Sequence, residues 1–370
     1  MKFSKLCVVL MLHACFTLPA VMAGEDAPPE LQSLNQETIE LYRTGKYDRG
    51  VIVAKQALAL TEQNYGQNHP DVANNLNNLA ILFRAQGKYA QAEPLYKRAL
   101  EINEKTLGPD HPFVAANMNN LALLYRTQGR YALAEPLYEG ALAINEKAFG
   151  PEHPDVANSL NNLAELDRTR GRHVQAEPRY KRALAINEKA FGPDHPAVAN
   201  SLNNLAELYR NQGLNEQSLP LYKRALVIYE KALGPDHPAV ATSLNNLAAL
   251  YTAQGQYRQA EPLYKRSLDI RKKTYGPDHP DVANSLNNLA ELYRNQGEFM
   301  QAEPLYTRAL VIYEKTFGPS HPGLATILTN LAALYTVQGQ HALAEPLYIR
   351  SRAIRERSLG TDHLLSQQSE

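Results

Sequence analysis

Apolar residues along most of this chain recur at helical spacing, and the stripes come in pairs. In residues 69–110, Val72, Leu76, Leu79 and Phe83 stand four, three and four positions apart, which marks one face of an α-helix. A second stripe runs from Ala92 through Tyr96 and Ala99 to Ile102 and Asn103. Gly87 lies between the two, where a left-handed residue would end the first helix. Pro70 suits the first turn of that helix, because its missing N–H would have had no partner there. The second helix is predicted over about 90–107. That start puts Pro94 at the end of the first turn, where it removes little backbone bonding. Gly108-Pro109 then closes the unit.

The paired pattern returns every 42 residues, as the glycines Gly66, Gly108, Gly150, Gly192, Gly234, Gly276, Gly318 and Gly360 show. LNNLA (from Leu76) and AEPLYKRAL (from Ala92) recur in step. A fixed period of this size marks a repeat architecture, in which each unit buries its apolar faces only against its neighbours. The expected fold is all-α, a right-handed solenoid of antiparallel helix pairs. Seven units span 69–362, and a degenerate unit over 31–68 keeps Gly45-Lys46-Tyr47 but lacks the NNLA block, as a capping repeat would. At the other end Arg350, Arg352, Arg355, Glu356 and Arg357 make the last helix polar, and residues 363–370 read as a frayed tail. Two units depart from the pattern. Asp167, His173 and Arg179 replace Tyr, Tyr and Leu in the third, and Asn215 and Ser218 replace Tyr and Ala in the fourth. Polar groups at packing positions are costly without partners, so residues 167–218 are expected to be the least stable stretch.

Composition narrows the function classes. The 38 basic residues equal the 38 acidic ones, which is not the footprint of a nucleic-acid binder. Residues 1–23 read as an export signal: Lys2 and Lys5, an apolar run from Leu6 to Val21, and a small-residue cleavage site at Val21-Met22-Ala23. Residues 24–30 would follow as a flexible linker. The expected location is therefore periplasmic or secreted in a bacterium, with no membrane span in the mature chain. An uncleaved anchor, or a lipoprotein box at Leu12-His13-Ala14-Cys15, is the weaker alternative. Both cysteines, Cys7 and Cys15, lie in the leader, so the mature chain would have no thiol chemistry.

The order Leu76, Leu79, Ala80, Phe83, Gly87, Tyr89, Ala92, Tyr96, Ala99 resembles the tetratricopeptide repeat. The longer form found in kinesin light chains and many bacterial proteins is the most similar. The phrases HPDVAxxLNNLA and QGKYxxAEPLYKRAL carry the resemblance over about nine-tenths of the mature chain. It implies a binding surface rather than a chemistry.

Asn78 stands about 200° around the helix axis from Leu76, opposite the packing stripe. Its equivalents Asn120, Asn162, Asn204, Asn246, Asn288 and Asn330 form a row, with Arg84, Arg126, Arg168, Arg210 and Arg294 further along the same helices. The resemblance implies that this row lines a concave groove, where Asn bonds the main chain or terminal carboxylate of a protein or peptide partner. Asn both donates and accepts, and Arg adds bidentate recognition of carboxylates. The competing reading is a solvated ladder: Asn bonding Asn, and Arg pairing with Glu165, Glu207 or Glu291.

The His residues opening each unit (His69, His111, His153, His195, His237, His279, His321) precede Pro, where a turn or cap suffices, and no cluster suggests a metal. There is no phosphate loop, nucleophile elbow or Cys/His pair. No cofactor is expected, and the chain reads as a non-enzymatic interaction scaffold. Self-assembly into a homo-oligomer is the alternative. A code-reading RNA binder is disfavoured by the charge and by the uniform Asn face.

Overall fold

The structure, a computed structural model, describes residues 28–359. Among the described residues there are sixteen helices and no strands. The leader and the 363–370 tail lie outside the described residues. The chain divides after Pro235 into two compact units. Residues 28–235 hold five helix pairs: α1 (Pro29–Arg43) with α2 (Tyr47–Tyr65), α3 (Pro70–Ala85) with α4 (Tyr89–Leu107), α5 (Pro112–Thr127) with α6 (Tyr131–Phe149), α7 (Pro154–Thr169) with α8 (His173–Phe191), and α9 (Pro196–Asn211) with α10 (Asn215–Leu233). Residues 236–357 hold three: α11 (Pro238–Ala253) with α12 (Tyr257–Tyr275), α13 (Pro280–Gln296) with α14 (Phe299–Phe317), and α15 (Pro322–Val337) with α16, which runs on to Leu359 from His341. The 42-residue unit is one such pair, as the stripes predict.

Packing follows the two stripes. Val72, Leu76, Leu79 and Phe83 of α3 are buried, as are Ala92, Tyr96, Ala99, Ile102 and Asn103 of α4. Within each unit a first helix packs on its own partner, and the second helix packs on the next first helix. Small residues at Ala92 and Ala99 allow that close approach, while the Tyr between them fills the space. Gly87 takes φ +70°; Lys88 N–H then bonds Phe83 O at 2.8 Å, closing the helix end as a left-handed cap does.

The recurrent loop works as a clamp between pairs. His153 caps α7: its Nδ1 accepts the Asp155 backbone N–H at 3.2 Å. Its ring stacks on Phe149, the last residue of the preceding helix, with centroids 4.5 Å apart. His69, His111, His195, His237, His279 and His321 cap their helices in the same way. The capping role expected for this His series is what the structure contains.

A second tie explains the Glu of AEPLY. The Tyr125 hydroxyl donates to Glu93 of the preceding pair at 3.0 Å, and Tyr209 to Glu177, also at 3.0 Å. In the C-terminal unit Tyr293 reaches Glu261 at 3.0 Å and Tyr335 reaches Glu303 at 2.8 Å. Each bond satisfies a tyrosine tip while its ring stays packed.

Four expectations need correction. The second helices start one residue early, at Tyr89 and its equivalents, so Pro94 is an internal residue of the second turn and Ala90 O loses its bond. The N-terminal helix begins at Pro29, inside the supposed linker, because proline is favoured at a first helical position. The last helix is only half polar: Ile349 is 62% and Tyr348 40% exposed, whereas Tyr96, Tyr138, Tyr180, Tyr222, Tyr264 and Tyr306 are at most 4%.

The fourth concerns Asp167. It is fully buried, yet it does not lack partners: Arg172 lies 2.7 Å away and Arg179 pairs with its other oxygen. Arg172 also bridges to Glu135 at 2.6 Å. Asp167 has lost the tyrosine hydroxyl that would reach Glu135, and arginines carry that connection instead. The two departures, Asp167 and Arg179, therefore compensate each other. Ser218 is satisfied as well, donating to Ala206 O at 2.8 Å. His173 fits the original expectation, with its Nδ1 buried and unpaired.

Asp167→Ala should lower unfolding free energy by about 2–3 kcal/mol, since it leaves two partly buried guanidinium groups without their anion. Asp167→Tyr alone should also destabilise. Asp167→Tyr combined with Arg179→Leu, which restores the residues of the other units, should recover most of the loss. Urea denaturation of the three variants checks this, and an unchanged midpoint for Asp167→Ala would show the cluster to be energetically idle.

Candidate peptide-binding face

The NNLA block places two adjacent Asn on six first helices, α3 to α13 (α15 has Thr329-Asn330), and the first of the two can reach the following repeat. In the N-terminal unit Asn162 donates to Asn119 at 3.4 Å. In the C-terminal unit Asn288 donates to Asn245 at 2.9 Å and Asn330 to Asn287 at 3.0 Å. Asn204 turns instead to Asn200 on its own helix, at 3.1 Å. Asn246 leaves its Nδ2 buried and unpaired among the described residues. Asn78 and Asn120, partly exposed like the rest of the row, share with Asn246 the lack of a side-chain hydrogen bond among the described residues, but their amide nitrogens are not buried without a partner as that of Asn246 is. The residue placed to accept from Asn120 is Asn77; it gives its amide to Asn117 at 2.9 Å, and its Oδ1 is buried and unpaired. The doubled Asn was legible as the signal for this ladder, although only its second member stood out by helical position.

The arginines also sort into two groups. Arg168 grips Glu165 through two nitrogens at 2.8 and 2.6 Å. Arg126 reaches the same carboxylate from the preceding repeat at 3.0 Å. Arg210 grips Glu207 in the same bidentate way, at 3.2 and 2.6 Å. Second-helix tyrosines complete each site: Tyr180 donates to Glu165 at 2.9 Å and Tyr222 to Glu207 at 2.7 Å. Glu207 is buried and Arg168 nearly so. In the C-terminal unit Arg294 lies 3.6 Å from Glu291, and the Tyr306 hydroxyl is buried and unpaired.

Arg84 stands apart. No Asp or Glu pairs with it among the described residues; it bonds the Tyr96 hydroxyl, and its Nε is buried without a partner. The cause is in the sequence. Ile81 and Leu123 occupy the positions that Glu165 and Glu207 occupy in the next two repeats. Of the candidate residues, Arg168 and Arg210 are thus committed within the fold, whereas Arg84 is uncompensated and Arg126 has a single, shared carboxylate. The carboxylates of this face were foreseen as the alternative partners of the arginines, but the tyrosines escaped the sequence reading because Tyr180 and Tyr222 look like ordinary packing residues.

Electrostatics reflect this pairing. Burial pushes the Glu165 carboxyl up, but the charges of Arg168 and Arg126 more than offset it and hold the group at about 2. Glu207 is lowered likewise, with Arg210 and Arg168 outweighing its burial. Arg168 is raised: the Glu165 carboxylate outweighs the effect of burial on its guanidinium. Burial, reinforced by the adjoining carboxylates, drives the Tyr180 and Tyr222 hydroxyls well above their ordinary range.

Glu165 stays charged in the folded state to about pH 2, whereas in the unfolded chain it takes up a proton near pH 4.3. Its stabilisation is complete above the unfolded value and disappears as pH falls through the folded one. Glu165→Gln should therefore cost on the order of 2 kcal/mol at neutral pH, with the difference from wild type shrinking below about pH 4. Denaturation midpoints measured across that range decide it; a constant difference at all pH values would contradict the pairing.

No curated protein matches the sequence. Among solved structures, the nearly identical tetratricopeptide-like repeats of a Podosopora anserina protein described as a kinesin light chain are 29% identical. They align over 56% of this chain and 97% of that one, with a TM-score of 0.46. BtubC (BKLC) from P. vanneervenii is 27% identical over 66% of this chain and 93% of its own, with a TM-score of 0.49. The Rap protein complexed with Competence and Sporulation Factor is 14% identical over 90% of this chain and 99% of its own; its TM-score of 0.55 speaks for the fold alone. A family model described as tetratricopeptide repeat matches successive overlapping segments: 40–105, 76–146, 113–189, 155–213, 198–273, 253–315, 281–357 and 323–366. With matches along nearly the whole of its helical length, the chain belongs to the tetratricopeptide repeat family.

Proposed function

We propose that this protein is a non-enzymatic scaffold that binds an extended segment of a protein partner along the first-helix face of its repeats. Tetratricopeptide solenoids are typical protein-interaction scaffolds, and the observation that carries the reading here is the pair of unengaged amides at Asn78 and Asn120. A partly exposed Asn with both donor and acceptor free can bond an extended backbone whatever side chains it bears. Asn162, Asn204, Asn288 and Asn330 are engaged within the fold and serve as a ladder that fixes the spacing, and Asn246 keeps its unpaired amide buried. The leader over residues 1–23 further supports export, so the partner would be met in the periplasm or outside the cell.

One observation favours self-association as a second reading. The last helix exposes Tyr348 and Ile349, at positions where earlier pairs carry a buried tyrosine and a polar residue.

A photocrosslinking residue at position 120 identifies the partner, and titration calorimetry then measures it. Asn120→Ala should preserve helical circular dichroism and weaken binding by about 1–3 kcal/mol, the cost of an unpaired polar group. Asn288→Ala and Asn330→Ala should instead lower the melting temperature. If Asn120→Ala changes only the melting temperature, the whole row is structural and the groove reading falls. Mass spectrometry of protein recovered from the periplasm or medium should find an N-terminus at Gly24; intact Met1 in the cytosol would exclude export.

A further inference from the structure

Consecutive helix pairs in residues 28–235 are fastened where one second helix ends and the next pair begins, by three recurrent ties. The first is an arginine that reaches a carboxylate of the preceding second helix and a carbonyl of the loop after it. Arg98 meets Glu62 at 2.7 Å and Gln67 O at 3.2 Å, and Arg182 meets Glu146 at 2.7 Å and Pro151 O at 3.0 Å. Arg224 does the same with Glu188 at 2.8 Å and Pro193 O at 3.3 Å. The second tie is the capping histidine stacked on the last ring of the preceding helix: His69 on Tyr65, His153 on Phe149, His195 on Phe191. The third is a buried side-chain bond to the next first helix, from Asn75 to Thr61 at 2.7 Å and, reversed, from Asn145 to Ser159 and Asn187 to Ser201 at 3.0 Å. The junction between α3/α4 and α5/α6 lacks all three. Gly140 stands in the arginine's place, and Glu104 pairs with no cation among the described residues. Helix α4 ends in Leu107, so the His111 ring lies against Phe113 of its own helix, with centroids 5.1 Å apart. Asn117 turns its acceptor to Asn77, and both side-chain polar atoms of Asn103 stay buried and unpaired.

We infer that this junction is a hinge of the N-terminal unit, about which the pair α5/α6 opens away from α3/α4. The opposite edge supplies the pivot. There Glu93 of α4 accepts from the Tyr125 hydroxyl at 3.0 Å and from Arg130 at 2.8 Å. Glu93 and Glu104 are 11 residues apart on one helix, a separation of about 16 Å. The two pairs are therefore held at one edge and released at the other, which is how a hinge is built. Two residues ease the motion. Gly140 adds backbone freedom inside α6. Met118, where the other full repeats carry leucine, lays its flexible end 3.0 Å from the point a Cβ at 140 would occupy. The ion pair that remains at the open edge, Lys147 with Asp110, is exposed on both sides and holds little. The polar departures over 167–218 find partners at Asp167 and Ser218, whereas three losses coincide here and none is made good. Opening changes the separation of Asn78 on α3 from Asn120 on α5, yet the hinge rests on ties at the helix ends and stands whether or not a peptide binds.

The test measures distances in the full chain by double electron–electron resonance, with Cys7 and Cys15 replaced by Ser. Spin labels at Thr106→Cys and Ala148→Cys span the hinge, and labels at Ala148→Cys and Ala190→Cys span the next junction at equivalent exposed positions. The first pair should give the broader distance distribution. Backbone amides of residues 103–107 should also exchange with solvent about tenfold faster than those of 145–149. Asn117→Ser, Met118→Leu and Gly140→Arg together restore the residues of the following repeats and should narrow the first distribution to the width of the second. Leu107→Phe alone returns the ring for His111 and should narrow it in part, which keeps the test decisive if the triple variant fails to fold. Equal widths for the two label pairs overturn the inference, as does a broad first distribution that neither variant narrows.

Discussion

A pair of helices 42 residues long cannot bury both of its apolar faces, and closing the second face on the next pair is the constraint from which the rest of the structure follows. The tyrosine of the second helix shows it: Tyr96 is buried beneath the following first helix, whereas its equivalent in the last pair, Tyr348, is 40% exposed. Polar groups caught at that junction must then find partners across it. The aromatic–imidazole stack with its His cap, and the Tyr-to-Glu bond, both join consecutive pairs within a unit. Loop residues that look like simple punctuation in the sequence are therefore interface residues. The same demand makes departures correlated: once Asp167 had displaced a tyrosine, Arg172 and Arg179 supplied the missing contacts.

The fold was legible because it is periodic. Val72, Leu76, Leu79 and Phe83 name a helix face by spacing alone, and Gly87 and His69-Pro70 name its ends. The errors occurred where one residue's meaning depends on another that is remote in sequence. Pro94 was misplaced by one position because the helix begins at Tyr89, whose ring is buried. Asp167 looked like a defect because Arg179, 12 positions away, lies on the other helix of the pair and reads as a second defect. Local pattern gives the face a residue occupies but not the charge that meets it there.

The candidate face shows the same limit. The Asn row was visible as a row, and the contest between groove and ladder could be posed from the sequence. Position by position, however, the structure divides it: Asn162, Asn288 and Asn330 are tied across repeats, and Asn78 and Asn120 are not. In each tie the Asn of the preceding repeat accepts through its Oδ1; Asn77 instead donates its amide to Asn117, which stands where later repeats have Ser159 and Ser201, and its Oδ1 stays buried and unpaired among the described residues.

Near-identical repeats carry little selectivity by themselves, since a ligand meeting the same groups at each step has no preferred register. Selectivity must come from the positions at which the units differ. On this face the consequential differences are Ile81 and Leu123, apolar where later repeats carry Glu165 and Glu207, so that Arg84 has no Asp or Glu partner among the described residues while Arg126 shares Glu165 with Arg168. The buried Glu165 and Glu207 sites show that the framework tolerates the charged arrangement when it is complete, so leaving it incomplete in one place costs the fold only locally. Arg84 is the place where the repeated pairing is broken, and such breaks are what distinguish one unit from the next on an otherwise repetitive surface.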